Sequence, residues 1–188
     1  WSNLYQYVFE RSPFYREHFR SAGLSPDVIP PLSEIGALPT IDKDCLSERT
    51  SEFVCVPDEE VVDVVTTSGS TGHPLVAVLT ETDLNRLGYN EYLSFRCVDL
   101  TADDRVLLAV TLDRCFMAGM AYFLGLRKLG ASVLRVGASL PAMHLEMIQR
   151  LNPTAIVGVP SFLRLVAQRA EEAGFDLAGS SVSKAVCI

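Results

Sequence analysis

The sequence is short of positive charge. Its 16 Lys and Arg are outnumbered by 23 Asp and Glu, a formal net charge of −7. Polyanions are held chiefly by Lys and Arg, so a nucleic-acid or anionic-membrane partner is disfavoured. Patterns that form metal sites and disulfides are also missing. The five cysteines, at 45, 55, 97, 115 and 187, are odd in number and scattered, with no Cys-x-x-Cys pair and no histidine at ligand spacing. That argues against a zinc site or a disulfide framework and for reduced thiols in a cytoplasmic protein. Long apolar runs are absent as well: the longest, Cys115 to Leu126, falls short of the roughly 20 residues that span a bilayer. The opening Trp1-Ser2-Asn3-Leu4 lacks the basic region and apolar run of a signal peptide. Trp1 is not an initiator methionine, and Lys184 to Ile188 reads as a buried strand, whose continuation and pairing partner would then be missing. The expectation is a fragment of a larger protein.

What is present is a chain of 188 residues, 48 % apolar, enough to bury a sizeable core. Residues 3–21 carry Leu4, Tyr7, Val8, Phe14 and Phe19 near helical spacing, with Pro13 starting a new turn or kinking the helix. Residues 22–40, with Pro26, Pro30, Pro31 and Pro39, read as a wrapped connecting segment, and Thr40 or Asp42 is placed to cap a short helix through Leu46. The texture changes at Val61. Val61–Thr66 and Val76–Thr80 are β-branched strands that pair most simply around the Gly/Ser/Thr loop between them, followed by a helix to about Cys97. Strands then alternate with helices: strand 106–110, helix 117–129 stopped by Gly130, strand 132–136, helix 141–151, strand 155–159, helix 161–173 and strand 185–188. Helical crossovers of this length call for a parallel βαβ sheet covered on both faces. The fold class is α/β, with a helical and wrapped segment over residues 1–60 and an incomplete α/β subdomain over 61–188.

The densest turn chemistry lies in Thr66-Thr67-Ser68-Gly69-Ser70-Thr71-Gly72-His73-Pro74. It is neither G-x-x-x-x-G-K-[ST] nor G-x-G-x-x-G. Gly69 and Gly72 permit positive φ, so successive amides can turn inward as an anion-binding nest, and Ser68, Ser70 and Thr71 add hydroxyl donors. The same composition also suits an ordinary exposed turn, and from the residues alone both readings stand.

The stretch resembles the phosphate-binding motif [ST]-S-G-[ST]-T-G-x-P of the adenylate-forming superfamily. Ser12-Pro13-Phe14-Tyr15-Arg16-Glu17-His18-Phe19, Leu38-Pro39-Thr40-Ile41-Asp42-Lys43, Asp104-Arg105-Val106, Leu129-Gly130-Ala131 and Gly158-Val159-Pro160-Ser161-Phe162 are, in that order, similar to the phenylacetate–CoA ligase branch. The resemblance covers nearly the whole chain. It implies an enzyme that activates an aryl or other apolar carboxylic acid with ATP and Mg2+, forming an acyl-adenylate and pyrophosphate, and then passes the acyl group to coenzyme A. It implies that Ser68, Gly69, Ser70, Thr71 and Gly72 embrace the β- and γ-phosphates, with Thr67 supporting the loop. One departure stands out, because relatives often carry Lys beside the motif proline where this chain has His73 and Leu75. His73 is either a possible phosphate contact or an exposed loop residue.

By the same resemblance Phe116, Met117, Gly119, Pro160 and Ser161 belong to the acyl pocket, at the carboxyl edge of the sheet where open α/β folds bind ligands. On general grounds Phe116 and Met117 also read as core residues that begin a buried helix, and Ser161 as a helix cap. Cys115 has no neighbouring His or Lys in sequence to activate it as a nucleophile. The resemblance places the catalytic residues, the Mg2+-holding acid and the ribose-binding aspartate beyond residue 188, so the 188 residues alone are expected to be inactive, and it suggests a homodimer. Two other readings stay open: an adenylating enzyme with an amine or carrier-protein acceptor, and a degenerate nucleotide-binding module.

Overall fold

Ser12 splits the first helix expected from the sequence into two, α1 (Ser2–Arg11) and α2 (Pro13–Ser21). A residue before proline is pushed toward extended backbone, and Ser12 sits at φ −89°, ψ 120°. Its buried hydroxyl accepts from the Tyr15 amide at 3.2 Å and donates to the Glu52 carbonyl at 2.7 Å, while Pro13 occupies the first helical position, where no amide hydrogen is needed. The structure, a computed structural model, describes residues 1–67 and 74–188, and they fall into two units, Trp1–Glu81 and Thr82–Ile188.

In the first unit Tyr5 and Phe9 of α1 pack on Phe19 of α2, the Tyr5 and Phe19 rings stacking at 5.2 Å. The proline-rich segment is tied to this core by two aromatic donors. Trp1 Nε1 donates to the Pro30 carbonyl at 2.7 Å, and the Tyr5 hydroxyl to the Ser25 carbonyl at 3.1 Å. Asp42 caps α3 (Lys43–Glu48), its Oδ1 accepting from the Cys45 amide at 2.8 Å. Arg49 then lies over the Phe14 ring at 4.9 Å and pairs with Glu17 and Glu52. The unit ends in an antiparallel hairpin of β1 (Val61–Thr66) and β2 (Val76–Thr80).

The second unit runs α4 (Glu81–Cys97), β3 (Arg105–Leu108), α5 (Met117–Leu129), β4 (Ser132–Arg135), α6 (Pro141–Leu151), β5 (Ala155–Gly158), α7 (Pro160–Glu172) and β6 (Lys184–Cys187). The four strands are parallel, in the order β4-β3-β5-β6. Alternate residues of a strand face opposite sides. Val106, Leu108, Ala155 and Val157 therefore pack with Phe95 of α4 and Leu126 of α5, while Leu107, Ala109 and Ile156 pack with Leu145 and Ile148 of α6 and Val166 and Ala170 of α7. Both faces of β3 and β5 are thus buried, as their unbroken apolar sequences require.

Two glycine features let these helices sit as they do. A Cβ on Gly125 would fall 2.4 Å from Glu91 Cβ, so α5 approaches α4 more closely than any side chain at that position allows. Gly130 closes α5 at φ +89°, a left-handed cap that glycine adopts without strain. Among the described residues no helix is long and apolar enough to cross a membrane.

At the amino edge of the sheet Asp104 is almost fully buried. Its carboxylate accepts from the Thr101 amide at 2.8 Å, the Thr154 hydroxyl at 2.7 Å and Lys184 Nζ at 3.1 Å, which joins the starts of β3, β5 and β6. Burial pushes this carboxyl up, but the hydrogen bonds from Thr154, Thr101 and Lys184, with the lysine charge, outweigh it and hold it below the usual aspartate value.

Candidate functional site

In sequence, β1 and β2 stand on either side of the hydroxyl-rich motif. Val65 pairs with Ala77 and Thr66 with Val76, and one further pair of hydrogen bonds follows. The Thr67 amide donates to the Leu75 carbonyl at 3.0 Å, and the Leu75 amide donates to Thr67 Oγ1, also at 3.0 Å. Thr67 therefore bonds Leu75 with both its backbone and its side chain. Both backbone polar groups of Leu75 are committed to these bonds. The remaining motif residues, Ser68, Gly69, Ser70, Thr71, Gly72 and His73, lie outside the described residues.

The second unit presents its own site at the carboxyl edge of the sheet. Adjacent strands β3 and β5 send the chain to opposite faces, β3 into α5 and β5 into α7. This is a topological switch point, where the following loops splay apart and leave a crevice. The loop after β3 carries Arg114 and Cys115 at φ +59° and +55°. Consecutive left-handed residues that are not glycine are costly, and such strain clusters at functional loops. The loop delivers Phe116 and Met117 to the start of α5, with 46 % and 41 % of their surfaces exposed. Across the switch point Pro160 and Ser161 open α7, both exposed.

The structure therefore puts Phe116, Met117, Pro160 and Ser161 at the ends of neighbouring strands. Phe116 and Met117 are half-exposed at the edge, outside the core. Ser161 does not cap its helix: α7 begins at Pro160, one residue earlier than the sequence pattern suggests, with Val159 as its cap and no side-chain bond there. Gly119 is buried one turn into α5, where a Cβ would meet the Thr111 carbonyl oxygen at 1.8 Å. Its place is beneath the loop, letting helix and loop touch backbone to backbone.

A cleft of about 410 Å3 opens beside this loop, lined by Thr111–Arg114 on one side and Arg135–Ser139 on the other. Arg114 and Asp113, 3.9 Å apart, are both largely exposed, and such a pair contributes little to stability. The cysteines at 45, 55, 97, 115 and 187 are all unpaired. Among the described residues no group of three or more His, Cys, Asp or Glu side chains is placed to hold a metal ion. The feature that sequence reasoning missed is the backbone strain at Arg114 and Cys115, which leaves no residue-type signal, since Arg and Cys do not ordinarily mark left-handed positions.

A parallel sheet of order β4-β3-β5-β6 with helices on both faces and a switch point between β3 and β5 defines an open α/β fold. The chain belongs to the family of AMP-binding enzymes, whose model matches residues 20–187. Within it the chain is similar to the phenylacetate–coenzyme A ligases: 27 % identical over 179 residues to that of Escherichia coli K12, with 94 % of this chain and 41 % of the relative covered. It is 28 % identical over 173 residues to that of Thermus thermophilus, covering 91 % and 38 %. The crystal structure of 2-hydroxyisobutyryl-CoA ligase in an open conformation superposes with a TM-score of 0.85 at 23 % identity over 98 % of this chain and 41 % of that one. The same enzyme with 2-HIB-AMP and CoA in the thioesterification state gives a TM-score of 0.81 at 26 % identity, covering 93 % and 39 %. The chain thus spans about two fifths of the length of the relatives it matches.

Proposed function

We propose that this chain is the phosphate-loop portion of an AMP-forming acid–CoA ligase acting on an aryl or other apolar carboxylic acid. The observation that carries the proposal is the pair of hydrogen bonds between Thr67 and Leu75, on either side of the motif in sequence, in a chain similar to phenylacetate–coenzyme A ligases. The chemistry asks the protein to offset phosphate charge rather than to supply a nucleophile. The substrate carboxylate attacks the α-phosphorus of Mg-ATP, its new O–P bond replacing the bond to pyrophosphate. The CoA sulfur, its proton lost to solvent or a base, then attacks the acyl carbon and AMP leaves. In the first step the hydroxyls of Ser68, Ser70 and Thr71 and the loop amides donate to the β- and γ-phosphates, with His73 as a further donor. Phe116, Met117, Pro160 and Ser161 face the acyl group. Mg2+ would arrive with ATP as part of the substrate, and its protein ligands and the catalytic residues are proposed to lie outside these 188 residues in the full-length protein. The full-length protein is proposed to be a cytoplasmic homodimer.

ATP–pyrophosphate exchange by the full-length protein against a panel of aryl and fatty acids tests this. Acid-dependent exchange is expected and would name the acid. The 188-residue chain is expected to give none, and replacing Gly69 with a bulky residue is expected to abolish exchange in the full-length protein. The departures at His73 and Leu75 favour one competing reading, a nucleotide-binding module without turnover. ATP binding by the full-length protein with no exchange for any acid would establish that reading instead.

A further inference from the structure

A second parting of loops lies on the other side of β3. That strand leads into α5, which packs with α4 on one face of the sheet, whereas its neighbour β4 leads into α6, which packs with α7 on the opposite face. Loops that part in this way leave a crevice at the carboxyl ends of the strands, where open α/β folds bind ligands. The cleft of about 410 Å3 occupies this place, between residues 111–114 after β3 and 135–139 after β4. Phe116, Met117, Pro160 and Ser161 are not among its walls. Its size, near the lower end of the roughly 300–1,000 Å3 of small-molecule pockets, suits a group larger than a single ion.

The walls select the charge of that group. In a chain of net charge −7, each wall contributes one guanidinium, Arg114 after β3 and Arg135 after β4, against a single carboxylate, Asp113. Asp113 holds Arg114 loosely: they are 3.9 Å apart and both largely exposed. Arg135 has no ion pair among the described residues. Its guanidinium instead lies 5.2 Å from the Phe123 ring centroid, an attraction to the ring face that steadies the group and leaves its N–H donors unused. Arg127 lies 6.0 Å from the same ring and adds to the positive potential there. The two loops also carry four backbone amides, those of Asp113, Arg114, Ala138 and Ser139, with no acceptor among the described residues. Donors in this number beside two permanent cations match an anion with several oxygens. A carboxylate offers two oxygens and one charge, whereas a phosphate monoester offers three and a charge of about −1.5 to −2.

We propose that this cleft is a phosphate-binding subsite, carried by the second unit alone, that takes a terminal phosphate group through Arg114 and Arg135. Coenzyme A and ATP are the two carriers of such a group in the proposed reaction, and only the choice between them rests on the proposed function. Coenzyme A is the expected carrier, because the phosphates of ATP are assigned to residues 68–73.

Titration calorimetry of the full-length protein tests this with inorganic phosphate, coenzyme A and ATP as separate ligands. Arg114→Gln and Arg135→Gln each remove one charge from the cleft, and Arg150→Gln removes one from the last turn of α6, where it forms an exposed pair with Glu146. R114Q and R135Q are each expected to raise the Kd for coenzyme A roughly tenfold, the lower limit for a hydrogen bond to a charged group. R150Q is expected to leave it unchanged, and the Kd for ATP is expected to stay the same in all three. In the wild type, inorganic phosphate is expected to compete with coenzyme A and to shift the NMR signals of amides 113, 114, 138 and 139; with both arginines replaced it is expected to do neither. A rise in the Kd for ATP in place of coenzyme A would support the subsite and assign it to ATP. An unchanged Kd for both carriers, an equal loss in R150Q, or phosphate shifts that persist without the two arginines would overturn the proposal. If no acid supports pyrophosphate exchange, the proposed function falls while the phosphate titration still judges the cleft.

Discussion

Replacing Asp104 with alanine is expected to cost about 3 kcal/mol of stability. Three donors converge on this carboxylate: the Thr101 amide, the Thr154 hydroxyl and Lys184 Nζ. Removing it leaves the first two without their acceptor in a buried setting, and an unmatched buried donor costs about 1–3 kcal/mol. Lys184 adds less, because its side chain is 34 % exposed and its Nζ also donates to the Asp99 carbonyl at 2.8 Å, so it can turn to water. The sum stays at the lower end of the roughly 3–5 kcal/mol for breaking a fully buried pair. For a chain of this length that corresponds to a fall in Tm of roughly 6–12 °C, read by calorimetry at neutral pH. The acid limb supplies a second readout. The folded carboxyl lies below its ordinary value, so its contribution is fully present above the unfolded pKa of about 3.9 and is lost as the pH falls through the folded value. Wild type is expected to lose stability more steeply than D104A below about pH 4. A Tm change under about 2 °C, less than 1 kcal/mol at this chain length, or parallel acid limbs in the two proteins, would refute the reasoning.

Two further substitutions test the packing. Ser12→Ala removes both the acceptor for the Tyr15 amide and the donor to the Glu52 carbonyl; a loss of about 1–2 kcal/mol is expected from a capping residue, measured by denaturant unfolding. Gly119→Ala places a methyl 1.8 Å from the Thr111 carbonyl oxygen, so the 111–117 loop has to shift. A lowered Tm together with altered amide shifts over that loop is expected, and unchanged shifts would show that the backbone approach is not as close as described.

Much of the fold could be read from the sequence because its signals are local. Pro13 after Ser12, Asp42 ahead of a short helix, Gly130 after an apolar one, and strands separated by helical lengths each report on their own neighbourhood, and the elements formed near their expected places. The strand order β4-β3-β5-β6 could not be read that way, since a parallel ladder is made between residues dozens of positions apart. Distance in sequence also hid the Asp104 network, which joins positions 101, 104, 154 and 184. At the site, the pairing of β1 with β2 around the loop followed from their β-branched runs, and the carboxyl-edge placement of Phe116, Met117, Pro160 and Ser161 followed from the alternation of strand and helix. The family resemblance assigns Gly119 to the pocket, and its close approach to the Thr111 carbonyl could not be read from the residue type alone.

The parallel sheet gives its two rims different tolerances to change. Along the amino rim one carboxylate secures three strands, so exchanges there are expected to be tested first on whether the protein survives at all. Along the carboxyl rim the loops 111–117 and 159–161 hang from strands that are already fixed from below. A library varying the carboxyl rim can therefore be confined to those loops, sparing Gly119 and the lock around Asp104, and most of its members should still fold well enough to be assayed.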